Sequence, residues 1–154
     1  MSTMDFSHSA VLLEEAVEGL HIKSSGIYLD LTFGRGGHSA AILRKLGPDG
    51  RLMAMDRDPV AVKEAKTRPI FQDPRFSIEY SAFSRVDEAV KSCGWFQRVD
   101  GVLMDLGVSS PQLDDATRGF SFMRDGPLDM RMDPRIEMDA ATWVNQAESE
   151  EMSA

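Results

Sequence analysis

The sequence predicts an α/β fold built on a doubly wound parallel sheet, and two patterns carry this prediction. Short apolar runs of strand length alternate with longer stretches of helical periodicity, which is typical of parallel β/α units. The four apolar runs are nearly continuous in hydrophobicity, as expected for strands that are buried on both faces. Ligands of such folds bind beyond the carboxyl ends of the strands, so the residues after each run are the candidate site.

These patterns give the order of the elements. Strands are predicted over residues 27–31, 52–55, 76–80 and 102–106, in the usual order 3-2-1-4. Helices are predicted over residues 10–20, 39–46 and 84–90, and Pro59 is placed in the first turn of another. Residues 112–139 are expected to be irregular, and Asp139 to cap a final helix.

Composition narrows the class of protein. The 154 residues are 42% hydrophobic and 27% charged, which is a globular composition. The net charge of −8 indicates that this segment is not the main electrostatic anchor for an RNA partner. The single cysteine, Cys93, excludes an internal disulfide and a four-cysteine zinc site, and we expect it to be a small buried hydrophobe. No apolar stretch is long enough for a membrane span, so we expect a cytoplasmic protein without a membrane partner.

A glycine-rich loop follows the first predicted strand. Gly34, Gly36 and Gly37 allow a sharp turn, and the amides that open the next helix would point at a ligand. Asp56 ends the second strand about 20 residues later, where a carboxylate can accept both hydroxyls of a ribose. Taken singly, a Gly-x-Gly turn is a weak signal. An isolated aspartate such as Asp56 is more often a helix cap or a surface carboxylate than a ribose ligand. Their combination indicates a nucleotide-containing ligand.

The loop admits either a dinucleotide or S-adenosylmethionine. A dinucleotide cradle needs a third glycine for close helix packing, and Ser39 stands at that position. Asp30, at the end of the strand, offers a carboxylate to the ammonium group of the methionyl part. These two observations favour S-adenosylmethionine as the methyl donor over a NAD-type dinucleotide, which stays as the alternative.

Four long motifs carry a resemblance to a known family. They read DLTFGRGGHS at residues 30–39, DRDP at 56–59, DLGVSSPQLD at 105–114, and RGFSF followed by DMRMD between residues 118 and 133. Together they resemble the ribosomal RNA small subunit methyltransferase H family, also called MraW, from His8 to about Glu151. The resemblance implies a Rossmann-like class I S-adenosylmethionine-dependent methyltransferase fold. It also implies methyl transfer to the exocyclic N4 of a cytosine in 16S rRNA of the small ribosomal subunit.

The resemblance assigns roles to individual residues. The donor contacts that it implies fall on Gly36, Gly37, His38, Asp56, Phe83, Asp105 and Gln112. In these roles Asp56 would hold the ribose diol, Phe83 would wall the adenine, and Gly36, Gly37 and His38 would line the amino-acid part. Judged singly, His38 fits a solvated helix cap and Phe83 a core residue. No metal site is predicted.

The methyl transfer itself points to Asp105. The amine of cytosine donates its lone pair into the ring, so acceptors on its hydrogens are needed to turn that pair toward the methyl group. Asp105 can accept from the amine or position the donor, and we predict it to be catalytic. A stacking platform for the base must come from elsewhere, and Phe120 and Phe122 are candidates, although a core role is equally consistent.

Arginines mark the last segment. Arg118, Arg124, Arg131 and Arg135 can clamp RNA phosphates over the donor pocket, or they can form local salt bridges, and the sequence leaves both open.

The length of the chain complicates the assignment, because a family member is about twice as long. We therefore expect the fold to be truncated after its fourth strand, with a donor-binding domain at residues 1–111 and the start of a substrate-side helical insertion at 112–154. Strand four would be an open edge, which favours self-association as a homo-oligomer. A non-catalytic donor-binding fragment is accordingly the alternative function, and we expect little methyl transfer from this chain alone.

Overall fold

The computed structural model describes residues 12–152 and shows there a parallel four-stranded sheet with the order β3-β2-β1-β4. The strands are β1 (Ile27–Asp30), β2 (Arg51–Asp56), β3 (Phe76–Tyr80) and β4 (Gly101–Leu103). The helices are α1 (Leu13–Gly19), α2 (Gly37–Lys45), α3 (Pro59–Thr67), α4 (Val86–Ser92), α5 (Ser110–Asp114), α6 (Ala140–Gln146) and α7 (Ser149–Met152). Short 3-10 turns span Pro69–Gln72, Phe83–Arg85 and Ala116–Arg118. The predicted α/β class and strand order are confirmed. The start of the predicted first helix, Ala10 and Val11, lies outside the described residues.

The strand register aligns all carboxyl ends at one edge of the sheet. Asp30, the last residue of β1, lies opposite Ala54 of β2 and Leu103 of β4. Asp56, the last residue of β2, lies opposite Tyr80 of β3. The loops that follow the strands therefore meet at one edge, which is where a parallel α/β sheet places its ligand.

Each face of the sheet carries its own apolar cluster. Alternate residues of the two central strands point to opposite faces. Tyr28, Leu52 and Ala54 join the cluster that α2 and α3 cover, whereas Leu29, Met53 and Met55 join the one that α4 covers. Met53 and Leu52 have no exposed surface.

The expectation of burial on both faces holds for β1 and β2 only. Most residues of β3 are half-buried, and β4 has one buried residue, because both strands lie at the edges of this sheet. The fourth strand is also shorter than the predicted span of 102–106. Leu31 donates its backbone N–H to the carbonyl of Leu103, and beyond it the chain leaves the sheet. Val102 and Leu106 are exposed at this edge.

Two local predictions have opposite outcomes. Pro59 opens α3 as predicted, with Asp58 as its N-cap, because the Asp58 carboxylate accepts from the Val60 N–H at 2.9 Å. The prediction for Cys93 is wrong: this residue is an exposed free thiol at the C-cap of α4, beyond the buried Ala89 and Val90 of the last turn.

The chain divides into two compact units, Met1–Leu106 and Gly107–Ala154. In the second unit Asp139 caps α6 as predicted, because its carboxylate accepts from the Thr142 N–H at 2.7 Å. The segment before it is largely irregular, as expected, apart from α5 and one 3-10 turn. Within residues 12–152 no helix is both long and apolar enough to cross a membrane.

Candidate functional site

The glycine loop between β1 and α2 forms the centre of the candidate site. Gly34 and Gly36 adopt left-handed backbone conformations, with φ angles of 53° and 73°. The Gly36 N–H donates to the Phe33 carbonyl at 2.7 Å, which closes the turn, and α2 begins at the next residue. No side chain in the described part of the chain caps α2. Its first N–H groups, those of Gly37 and His38 included, are therefore available to a polar ligand.

Asp30 holds this loop from inside. Its carboxylate has no exposed surface and accepts from the Ser39 hydroxyl at 2.6 Å and from the Thr32 N–H at 3.2 Å. Burial raises its pKa, and the bonds from Ser39 and Thr32 oppose that rise. Both Asp30 oxygens already accept a bond from the loop or from helix α2, and the predicted contact of this carboxylate with a ligand ammonium stays a prediction.

Asp56 holds the same loop from the neighbouring strand. Its Oδ2 atom accepts from the Gly34 N–H at 2.7 Å, and its Oδ1 atom from the Asp58 N–H at 2.8 Å. The side chain remains partly exposed, and burial raises its pKa against the effect of these two bonds. A carboxylate has about four accepting positions, so the partly exposed Asp56 side chain keeps some accepting capacity beyond its backbone bonds.

His38 and Asp105 face each other across the carboxyl ends of β1 and β4. Nδ1 of His38 lies 4.0 Å from Oδ2 of Asp105, whose side chain is 53% exposed. The His38 side chain is buried, and its Nε2 atom has no hydrogen-bond partner among the described residues. A buried polar atom without a partner is costly, so this nitrogen is a position that a ligand would satisfy.

Phe83 follows the carboxyl end of β3 in a 3-10 turn. Ser81 donates its N–H to the Asp56 carbonyl at 3.0 Å, which keeps the chain beside Asp56 just before Phe83. The Phe83 side chain is 37% exposed and is thus not the core residue that its sequence context suggests. An aromatic face at this edge is free to contact a ring.

Gln112, the remaining predicted contact, belongs to the second unit. There it completes a capping box at the start of α5, since its Oε1 atom accepts from the Ser109 N–H at 2.9 Å. The side chain is buried. Its carried-over role in donor binding stays a prediction.

The arginines of the second unit bond to groups within that unit. Arg131 and Arg135 pair with Asp129 and Asp133, at 2.6 Å and 2.8 Å. The bond from Arg131 lowers the pKa of Asp129 to about 2. Guanidinium groups of the other two, Arg118 and Arg124, donate to backbone carbonyls at 3.1 Å and 2.7 Å. These contacts favour the local interpretation of the arginines over a phosphate clamp.

The two phenylalanines of this unit differ in exposure. Phe120 is 9% exposed and packs in the interior of the unit, whereas the side chain of Phe122 is fully exposed. Only Phe122 therefore keeps the candidate role of a stacking platform.

Two residues that shape the site were not predicted. In the sequence Ser39 stands out only as a departure from a glycine, yet its hydroxyl binds the buried Asp30. Thr32 was assigned no role, but its Oγ1 atom accepts from the Asp105 N–H at 2.7 Å. A small polar residue following a strand-end aspartate is a weak signal that such contacts exist.

The parallel sheet, the glycine loop and the strand-end carboxylates define a Rossmann-like α/β protein with a ligand site at the carboxyl edge of its sheet. Residues 5–154 match the model of the MraW methylase family, so the chain belongs to that family. The chain is 58% identical over 146 residues to the ribosomal RNA small subunit methyltransferase H of Coxiella burnetii, strain Dugway. It is 56% identical to the protein of the same name from another strain of that species. Each match covers 95% of this chain and 47% of the relative, so the chain spans about half the length of these relatives.

Gly36 and Gly34 give a matched test of the loop. A Cβ atom on Gly36 would lie 2.5 Å from Phe71 and 2.6 Å from Phe33, whereas one on Gly34 would have 3.9 Å to its nearest neighbour. Gly34→Ala should cost about 1–2 kcal/mol of unfolding free energy for its left-handed backbone, and Gly36→Ala about 2–4 kcal/mol because it also overpacks the two rings. Urea unfolding measures both, and equal losses would contradict this description of the loop.

The raised pKa of Asp30 predicts that its contribution to folding stability falls as the pH rises, which is unusual for a carboxylate. Because burial raises its pKa in the folded state, the folded protein binds more protons than the unfolded chain between the ordinary and the raised pKa. Asp30 therefore favours folding less as the pH rises through that window. The Asp30→Asn variant should gain stability relative to the wild-type chain over the same rise, as measured by urea unfolding at a series of pH values. A relative gain on acidification would contradict the assigned direction.

Proposed function

We propose that this chain forms the methyl-donor side of an S-adenosylmethionine-dependent rRNA methyltransferase. The target would be the exocyclic N4 of a cytosine in 16S rRNA of the small ribosomal subunit. The observation that carries the proposal is the uncapped start of α2 beside the half-buried carboxylate of Asp56. Membership of the MraW methylase family and the names of the relatives support methyl transfer to small-subunit rRNA.

The residues of the site fit the donor in chemical terms. The partly exposed Asp56 carboxylate keeps accepting capacity beyond its backbone bonds, which suits the hydroxyls of a ribose. The partly exposed ring of Phe83 would contact the adenine, and the Gly37 and His38 amides would face the amino-acid part. The unpartnered Nε2 atom of His38 adds a buried polar position for the same ligand.

S-adenosylmethionine supplies an electrophilic methyl group when bound. The residues of the site would orient the partners, because a methyl displacement depends on close approach of nucleophile and carbon. Asp105, half-exposed at the end of β4, would accept a hydrogen bond from the cytosine amine and turn its lone pair away from the ring. The exposed ring of Phe122, in the second unit, stays a candidate for stacking on a base.

A NAD-type dinucleotide is the weaker candidate. The position of the third glycine in a dinucleotide cradle is held by Ser39, whose hydroxyl is committed to the buried Asp30. That bond fixes α2 against β1 through a side chain, which differs from the close glycine packing of the dinucleotide motif.

The RNA contacts are proposed for surfaces other than the second unit's arginines. Residues 107–154 hold ten acidic and four basic residues, and the four arginines bond within the unit. Self-association through the β4 edge also stays a proposal, supported by the exposed side chains of Val102 and Met104.

Calorimetric titration of the chain with S-adenosylmethionine tests the proposal. Binding is expected, and Asp56→Ala should weaken it by roughly 10- to 100-fold, since hydrogen bonds to charged groups contribute about 1.5–3 kcal/mol. Asp49→Ala is the matched control, because Asp49 is an exposed aspartate in the turn before β2. The proposal fails if NAD binds and S-adenosylmethionine does not, or if the two variants behave alike.

A further inference from the structure

The backbone at Asp105 lies beyond the support of the sheet. The pairing of β4 with β1 ends at Leu103, opposite Asp30. The next three side chains, Met104, Asp105 and Leu106, are all exposed. A carboxylate that must be held in place is thus carried by a segment outside the strand ladder, and another contact has to position it.

Thr32 makes that contact. Its Oγ1 atom accepts from the Asp105 N–H at 2.7 Å, across 73 positions of sequence. The Thr32 N–H in turn donates to Oδ1 of Asp30 at 3.2 Å, and Oδ2 of Asp30 accepts from the Ser39 hydroxyl at 2.6 Å. Asp30 and Ser39 have no exposed surface, so this series of bonds is anchored in the interior and ends at Asp105.

The position of the Asp105 carboxylate depends on this anchor. With its N–H held by Thr32, Asp105 places Oδ2 at 4.0 Å from Nδ1 of the buried His38. His38 lies beside Ser39 in the first turn of α2, so both ends of the arrangement are fixed to the same helix. Release of the Asp105 backbone would leave its carboxylate free to swing into solvent.

We propose that Thr32 is a positioning residue for Asp105. The Thr32 hydroxyl oxygen takes the place of the strand pairing where β4 ends, and so holds the Asp105 carboxylate opposite His38. The effect of this bond on donor affinity rests on the proposed function, in which Asp105 faces the methyl donor. Its consequence for the Asp105 backbone is independent of any ligand.

The test compares Thr32→Val with Thr32→Ser in the 154-residue chain. Valine keeps the shape and removes the acceptor, whereas serine keeps the acceptor and removes the methyl group. Thr67→Val is the matched control, since the Thr67 hydroxyl is exposed and bonds only locally, to the Glu64 carbonyl. Amide hydrogen exchange is read at Asp105 and at the fully buried Met53 of β2, and S-adenosylmethionine affinity is read by calorimetry.

Thr32→Val should raise the exchange rate of the Asp105 amide by roughly five- to tenfold, as expected for one lost hydrogen bond, with exchange at Met53 unchanged. Donor affinity should fall by a similar factor. Thr32→Ser and Thr67→Val should match the wild-type chain in both measurements. In the wild-type chain, the Asp105 amide should exchange more slowly than that of Leu106, a comparison that needs no variant to fold.

Several results would overturn the inference. Equal exchange at Asp105 in the wild-type and Thr32→Val chains would show that the hydroxyl does not hold the backbone. A serine variant as impaired as the valine variant would assign the effect to packing of the methyl group. If the wild-type chain binds no S-adenosylmethionine, the proposed function fails, while the exchange measurements still decide the role of Thr32.

Discussion

The left-handed turn between β1 and α2 is the constraint on which the rest of the site depends. Gly34 and Gly36 permit it, but two carboxylates hold it: Asp30 from the end of its own strand and Asp56 from the neighbouring one. Each aspartate ends a parallel strand, so both reach the loop only because the register brings those ends to one edge. The turn fixes where α2 begins, and therefore the position of the first N–H groups of α2, which a ligand could reach.

The three strand-end carboxylates differ in burial, and their roles differ accordingly. Asp30 is fully buried and serves the loop, whereas Asp56 is partly exposed and keeps capacity for a ligand as well. Asp105 is the most exposed of the three and depends on Thr32 for its position. The buried Asp30 thus supports the structure, whereas the exposed Asp105 is the one proposed to contact the cytosine amine.

The sequence predicts this fold well where one local signal decides the outcome. The apolar runs, Pro59 in the first turn of α3, and Asp139 as a cap all depend on neighbours in the chain. Prediction fails where a distant partner decides. The apolar residues after Leu103 indicate a longer strand, but β1 offers no further pairing, and the Thr32 contact to Asp105 joins residues 73 positions apart. Phe120 and Phe122 share one motif, yet packing buries only the first.

We propose that the methyl donor binds at the edge of the sheet where the carboxyl ends of the strands meet. Chemical-shift mapping by NMR, in a titration of the chain with S-adenosylmethionine, tests it most directly. We expect shifts at Gly34, Gly36, His38 and Asp56, and none at Gly50 and Arg51 at the opposite end of β2. Shifts confined to the amino ends of the strands, or none at saturating donor, would contradict it.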